Sequence, residues 1–298
     1  MEIRTLRYFL TVAREENMTR AAGILHVTQP TLSKAMKGLE DELGKKLFTR
    51  HSFSIRLTEE GQLLRERAED LVTMADKIEK DFLALDDLTG GELSFGLAES
   101  FQIRYLAREI RALKRTCPAL QYHITSGDTE QVTEKLDKGL LDFAVVCDEP
   151  DPRKYDALPF PEGDLWGVIM PADAPLAARE TIRITDLIGI PLFTSAQGWT
   201  GDIRKWAGSR FPELHLEGSF RLAYNASMFV REGLGYQLSF QHLVDVSEGS
   251  GLVFRPLDPA LKTRLYLIWN RYQTFTPIAE QFLRQVRSSF RTRGMAES

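Results

Sequence analysis

Thr28-Gln29-Pro30-Thr31, followed by Ser33, Lys34 and Lys37, is the stretch of this 298-residue chain best equipped for chemistry. These groups are poor candidates for moving protons or ligating a metal. They donate and accept hydrogen bonds and carry positive charge at the exposed start of a helix, which suits base edges and the phosphates beside them. A helix needed only for its own stability would carry Glu, Ala and Leu there. Gln29, Pro30, Ser33 and Lys34 are expected at base edges. Thr28, Lys37, Arg50 and Arg56 are expected at phosphates, with Thr31 and His51 beside them.

The elements that must hold these groups can be read from the spacing. Leu6, Phe9, Leu10 and Ala13 form the apolar stripe of a first helix. Thr19 is the expected N-cap of a second, short helix with Ala21, Ala22 and Leu25 inward. His26 and Val27 make a turn. Thr28 caps a third helix, with Pro30 in its first turn, where a missing N–H is harmless. Leu32, Met36, Leu39 and Leu43 form its buried row. Lys45–Arg50 and Ser54–Thr58 then read as two short strands around a His51-Ser52-Phe53 tip, a wing that carries Arg50, His51 and Arg56. A helix-turn-helix with a wing is a reader of the DNA major groove. The plainer alternative is a three-helix module with a solvated basic face.

Composition narrows the function classes. Residues 1–57 hold ten Lys/Arg and six Asp/Glu, a net of +4, and the remainder holds 28 and 36, a net of −8. A basic head on an acidic body fits a nucleic-acid reader joined to a different module. Residues 1–20 are too broken by charge for a signal peptide, and no apolar run approaches a membrane span. Two cysteines, Cys117 and Cys147, exclude a disulfide framework and fit a cytoplasmic protein. The five histidines are scattered without zinc spacing. Gly233-Leu234-Gly235 lacks a third glycine and a phosphate-loop lysine, and reads as a turn into a strand. No catalytic residue, metal site or cofactor is expected, so the chain is not read as an enzyme.

Residues 1–58 resemble the DNA-binding domain of LysR-type transcriptional regulators. The resemblance rests on Leu6, Phe9, Ala13, Thr19, Ala21-Ala22, Leu25, Val27-Thr28-Gln29-Pro30, Ser33, Leu39-Glu40, Leu43-Gly44, Leu47-Phe48, Arg50 and Leu57-Thr58-Glu59-Glu60-Gly61. Lys34 stands where the family often has Arg, and a Lys meets guanine as a point charge instead of a bidentate fork. The likeness is strong over the first 65 residues and weaker beyond. It implies a double-stranded DNA operator, a small-molecule effector, a homodimer extended to a tetramer, and RNA polymerase as a further partner.

From Thr58 to Leu88 the chain has no proline and a single glycine, Gly61. Leu64, Ala68, Leu71, Ala75, Ile78, Phe82 and Leu85 alternate in steps of four and three, the seam of a coiled coil and so of a dimer. The alternative is a helix packed on its own domain. Thr89-Gly90-Gly91 is expected to break this helix as a hinge.

Beyond the hinge, strands at Glu92–Leu97, Gln121–Ser126, Asp142–Cys147, Leu165–Met170, Leu192–Thr194, His215–Phe220 and Leu265–Trp269 alternate with helices. The helices are expected at Ser100–Thr116, Thr129–Lys138, Gly201–Arg210, Ala226–Glu232, Gln241–Val246 and Pro277–Phe290. That rhythm predicts parallel, doubly wound sheets. The fold class is therefore α/β: an N-terminal winged helix-turn-helix (1–58), a linker and dimerisation helix (59–89), and a two-lobed effector domain, lobe I from 90–161 and 267–298, lobe II from 162–266. The resemblance implies a periplasmic-binding-protein-like form for that domain.

Ligands of such sheets sit beyond the carboxyl ends of strands. Ser100, Ser126, Gly127, Thr129, Thr194, Ser195, Gln197 and Asn225 fall there, and Phe101, Trp199 and Phe240 are candidate aromatic walls. Hydroxyls and free N–H groups suit a small anionic effector. Each hydroxyl taken alone reads equally as a helix cap. Two other classes stay open: a binding protein without a DNA role, and a constitutive DNA-binding protein with no effector.

Overall fold

The computed structural model describes residues 1–50, 55–85 and 90–294. It divides into two compact units, Met1–Asp86 and Asp87–Ser298.

In the first unit, helices α1 (Ile3–Glu15), α2 (Met18–Ile24) and α3 (Gln29–Leu43) precede a two-stranded antiparallel wing, β1 (Phe48–Arg50) and β2 (Ile55–Leu57). A long helix, α4 (Glu59–Ala84), follows. Leu6, Phe9 and Val12 from α1, Ala21 and Ala22 from α2, and Leu32, Met36 and Leu39 from α3 close one core with Leu47 and Ala68. Phe9 packs on Phe48 at 5.3 Å between ring centroids, so the wing is anchored to the same core. The alanines let the helices approach closely. The cap of α2 is Asn17, whose side chain accepts from the Arg20 N–H; Thr19, the expected cap, lies inside the helix because Asn17, two residues earlier, already caps a free N–H of the first turn. Leu43 is exposed instead of completing the buried row, since Gly44 (φ +65°) ends α3 immediately after it.

Thr58 caps α4, accepting from the Gly61 N–H at 3.0 Å while its own hydroxyl donates to the Lys46 carbonyl. A Cβ at Gly61 would lie 2.2 Å from the Leu47 carbonyl oxygen, so only glycine lets α4 start against the wing. Glu59 and Glu60 in the first turn suit the positive end of the helix dipole.

The second unit has two lobes. Five strands form the first sheet: β3 (Gly90–Leu97), β4 (Ala119–Ser126), β5 (Phe143–Val146), β6 (Tyr155–Pro159) and β14 (Tyr266–Asn270), in the order β4-β3-β5-β14-β6. Helices α5 (Arg104–Leu113), α6 (Thr129–Asp137) and α10 (Pro277–Gly294) accompany it. Between β6 and β14 run β7 (Asp164–Pro171), β8 (Ile182–Arg183), β9 (Pro191–Ser195), β10 (His215–Phe220), β11 (Tyr236–Phe240), β12 (Leu252–Asp258) and β13 (Lys262–Thr263). They build the second sheet in the order β10-β9-β11-β7-β12-β8, with β13 on β7. Its helices are the short α7 (Ala196–Gly198) and α8 (Arg204–Ala207), joined by a π-turn at Trp199–Ile203, and α9 (Ala223–Arg231).

The sheets are mixed and not parallel throughout. β3, β4 and β5 run parallel, but β14 is antiparallel to β5 and β6, and β7 is antiparallel to β11 and β12. The reason lies in the crossings. The chain passes from β6 to β7 and from β13 to β14 through a few residues with no helix to turn it, so each entering strand reverses the local direction. Three further expectations change. Gln241–Val246 is a turn and not a helix. Gly90 and Gly91 open β3, paired with Ala119 and Leu120, instead of forming a hinge; Thr89 lies outside the described residues. The first helix of the second unit begins at Phe101 as a 3-10 turn, with Ser100 as its cap.

Candidate functional site

Two polar surfaces meet the requirements of a site, one in each unit. In the first, the turn between α2 and α3 is set by His26. Its φ is +53°, its N–H donates to the Gly23 carbonyl, and Val27 N–H reaches back to the Ala22 carbonyl at 3.0 Å. This is the paired closure of a Schellman motif with His in the usual glycine position. Val27 then packs on the core, and Thr28 starts α3. The Thr28 hydroxyl accepts from the Thr31 N–H at 3.4 Å and lies 2.8 Å from the Thr31 hydroxyl.

Thr28, Gln29, Pro30, Thr31, Lys34 and Lys37 are all exposed, and Ser33 is half-buried. Among the described residues, neither Lys34 nor Lys37 has a carboxylate within ion-pair distance. Arg56 is exposed on β2, opposite Thr49 in the register. Arg50 enters only through its backbone pairing with Ile55, and His51 lies outside the described residues. Glu40 locks α3 to the wing: it accepts from Lys46 at 2.7 Å and from the Leu47 N–H at 2.9 Å. Burial pushes its carboxyl up, but Lys46 and the backbone N–H groups of Leu47 and Phe48 outweigh that and hold it below the usual carboxylate range.

On α4 the seam divides. Leu64 and Ala68 pack into the unit's own core. Leu71, Ile78, Phe82 and Leu85 are 43, 50, 69 and 51% exposed. Ala75 is half-buried.

The second surface is a cleft of about 540 Å³ between the two lobes. The first lobe contributes Ala98, Glu99, Gly127, Asp128, Glu130, Cys147 and Asp148. The second contributes Ser195, Gln197, Asp202, Arg221 and an aromatic side of Trp166, Phe220 and Phe240. Trp166 and Phe240 meet edge to face with centroids 4.5 Å apart. Hydrogen bonds already span the opening. The Glu99 carboxylate accepts from the Ala223 N–H at the start of α9 at 2.8 Å. Gln197 donates to Asp148 at 2.5 Å and to the Thr129 hydroxyl at 2.8 Å, and its carbonyl accepts from the Thr129 N–H. Arg221 stands 3.9 Å from Asp128.

Of the effector residues expected from sequence, Gly127, Ser195 and Gln197 line the cleft, as does Phe240, and Thr129 touches it through Gln197. The others are placed elsewhere. Ser100 donates to Asp164 at 2.5 Å and accepts from the Gln102 N–H at 2.9 Å, beside the crossing strands. There Gly163 is required, because a Cβ would lie 2.7 Å from the Thr263 carbonyl oxygen. Phe101 packs at a tilt on His242, with centroids 4.5 Å apart, and Trp199 packs on Phe211 at 4.7 Å. Thr194 is fully buried, and Ser126 and Asn225 are exposed off the lining. Glu99 and Asp148 were missed. A signal for them exists: each of the parallel strands β3, β4 and β5 is followed two residues later by an acid, Glu99, Asp128 and Asp148.

Burial pushes Glu99 above the usual carboxylate range, with the Ala223 N–H opposing only part of it. Burial also pushes the Cys147 thiol up, and the carboxylates of Asp164, Asp148 and Asp202 add to it. Cys117 and Cys147 form no disulfide. Among the described residues no cluster of His, Cys, Asp and Glu could hold a metal ion, and no helix is long and apolar enough to cross a membrane.

A winged helix-turn-helix followed by a two-lobed α/β module with a cleft at its strand ends defines a ligand-controlled DNA-binding regulator. Residues 3–62 match the bacterial regulatory helix-turn-helix family of the LysR type, and residues 86–291 match the LysR substrate-binding domain. The chain belongs to the LysR family and is a DNA-binding transcriptional regulator with an effector-binding domain. It is 25% identical to the uncharacterized HTH-type transcriptional regulator YybE of Bacillus subtilis over 294 residues, 97% of this chain and 99% of that one. It is 31% identical to the DNA-binding transcriptional dual regulator OxyR of Escherichia coli over 199 residues, 66% of this chain and 65% of that one. The fold is similar to that of full-length CbnR complexed with its target DNA, with a TM-score of 0.76 and 22% identity over 97% of this chain and all of that one.

Proposed function

We propose that α3 reads an operator through Gln29, Pro30, Ser33 and Lys34, while Thr28, Thr31, Lys37, Arg50, His51 and Arg56 hold phosphates. The observation that carries this is the pair of lysines on the outer face of α3 that, among the described residues, form no ion pair with a carboxylate, beside a row of exposed hydrogen-bonding groups. Asp41 stands at i+4 from Lys37, yet among the described residues neither Lys37 nor Lys34 has a carboxylate within ion-pair distance, so their charge is free for phosphate or base. Gln29→Ala tests the assignment. It should lower affinity for the best operator and relax preference at one base position per half-site. Unchanged discrimination at every position would remove α3 as the reading element.

The same reading makes the exposed seam of Leu71, Ile78, Phe82 and Leu85 a dimer contact, and places two reading heads on one palindromic site. Tetramer formation has support at β4. This edge strand exposes Tyr122 and Ile124 beside α5, a surface that a second copy would cover.

The cleft is the effector site. A ligand there would compete with or reinforce the bonds from Glu99 to Ala223 and from Gln197 to Asp148, and so bias how far the lobes close. It shifts the DNA-bound assembly only by its differential affinity for the two arrangements. Control by binding is favoured over control by thiol oxidation, because a reactive thiol needs a lowered pKa and Cys147 is pushed the other way. The protein acts in the cytoplasm, by binding and without catalysis. Footprinting with and without candidate metabolites tests the coupling: the protected length or bend should change.

A further inference from the structure

We propose that the inter-lobe cleft selects a small organic cation, an amine or guanidinium compound, in contrast to the anion its hydroxyls suggested. The proposal rests on the reading of this cleft as the effector site and adds the chemical class of the effector.

The charge of the lining carries the argument. Five carboxylates face the cleft, Glu99, Asp128, Glu130, Asp148 and Asp202, against a single guanidinium, Arg221. Arg221 is turned toward Asp128 and largely exposed, so its charge is spent at the rim. Three of the carboxylates follow from topology. They stand two residues past the ends of the adjacent parallel strands β4, β3 and β5, so one strand spacing separates each from the next. A ligand carboxylate would have to lose water among like charges. A ligand cation would supply the countercharge that Glu99 lacks among the described residues.

The acids do not stand alone. They share a half-open cavity with Trp166, Phe220 and Phe240, which lie on the second lobe with Asp202 while the other four acids lie on the first. An aromatic face near carboxylates attracts organic cations through ring quadrupoles as well as full charges. The volume suits a metabolite and exceeds what a bare metal ion needs. One titration shift agrees with this sign of field: beyond burial, the carboxylates of Asp164, Asp148 and Asp202, the last two in the cleft lining, help to lift the Cys147 thiol.

The experiment is calorimetric titration of the full chain with putrescine, agmatine and phenethylamine, set against glutarate and phenylacetate as carboxylates of similar size. Wild type should bind at least one cation saturably. Glu99→Gln and Asp148→Asn, which keep an acceptor for Ala223 and Gln197, should each weaken it tenfold or more. Glu134→Gln, on the outer face of α6, should leave it unchanged. Asp148 is exposed, so its variant keeps the test decisive even if Glu99→Gln fails to fold. Saturable binding of a carboxylate that tightens in Glu99→Gln would overturn the cation and leave the effector cleft standing. Cation binding indifferent to both substitutions would overturn it as surface attraction. No binding from either set would overturn the cation and the effector reading together.

Discussion

The start of α3 and the inter-lobe cleft are both polar surfaces, yet they are built in opposite ways. At α3 the working groups come from ten consecutive residues, Thr28 to Lys37, and one helix sets their spacing. In the cleft they come from positions between Glu99 and Phe240, brought together by two sheets. At α3 Lys34 and Lys37 form no ion pair among the described residues and are exposed. In the cleft Glu99 and Asp148 are engaged with a backbone and an amide donor across the opening, and Glu99 is held at a cost in desolvation. A surface that must meet a long polyanion can keep its charges free in water. A cleft that must close on a small molecule holds them in bonds that the ligand then replaces.

The largest expected effect comes from removing the second reading head. Leu71→Glu combined with Ile78→Glu puts four charges into each paired seam. The full chain should sediment at half its former mass, and operator affinity should fall by about 10²-fold or more, as the two half-sites lose their linkage. A dimer of unchanged mass would move the contact elsewhere.

Gln29→Ala is next, with a cost of about 1–3 kcal/mol at one base position per half-site, read by competition among operator variants. Arg56→Ala sharpens the contrast between reading and holding. It should weaken all sequences alike and reduce the log–log salt slope by about 1. A loss confined to one sequence would make Arg56 a base contact.

Glu40→Gln tests whether the wing is held by charge. Its carboxyl lies below the usual range, so its contribution is present above the unfolded-state value and lost as pH falls through the folded one. At neutral pH the variant should be about 1–2 kcal/mol less stable in the first unit, in line with lost charge-assisted hydrogen bonds. The difference should close on acidification.

Glu99 has the opposite sign. Its raised value favours the folded state below the ordinary carboxylate range, and that contribution disappears as pH rises through the folded value. Relative to Glu99→Gln, wild type should therefore lose ground as pH rises above the ordinary carboxylate range. Melting of the second unit should show it as a shift of about 2–4 °C per kcal/mol. A difference that stays constant with pH would mean that Glu99 does not titrate in this range.

The same contrast explains what the sequence disclosed. The helix-turn-helix was legible because each of its determinants is local: the apolar stripe of Leu6 and Phe9, the alanine pair, the Thr28 cap and Pro30. The errors there were matters of one or two positions at helix ends, Asn17 for Thr19 and an exposed Leu43. The α/β character of the second unit was legible from alternation, but its mixed sheets were not, because the strand direction of β7 and β14 depends on two crossings that leave no periodic mark. In the cleft, hydroxyls drew notice as helix starts while the acids two residues past three strand ends did not. Their significance depends on those strands being neighbours, which only the topology establishes.

The central claim is that the exposed start of α3 reads DNA sequence in a two-headed arrangement. Selection of bound duplexes from a random library by the full chain, wild type and Gln29→Ala side by side, tests it most directly. Wild type should enrich a dyad-symmetric motif, and the variant should lose preference at one position in each half while the rest of the motif persists. The same motif from both proteins, or no motif from wild type, would contradict it.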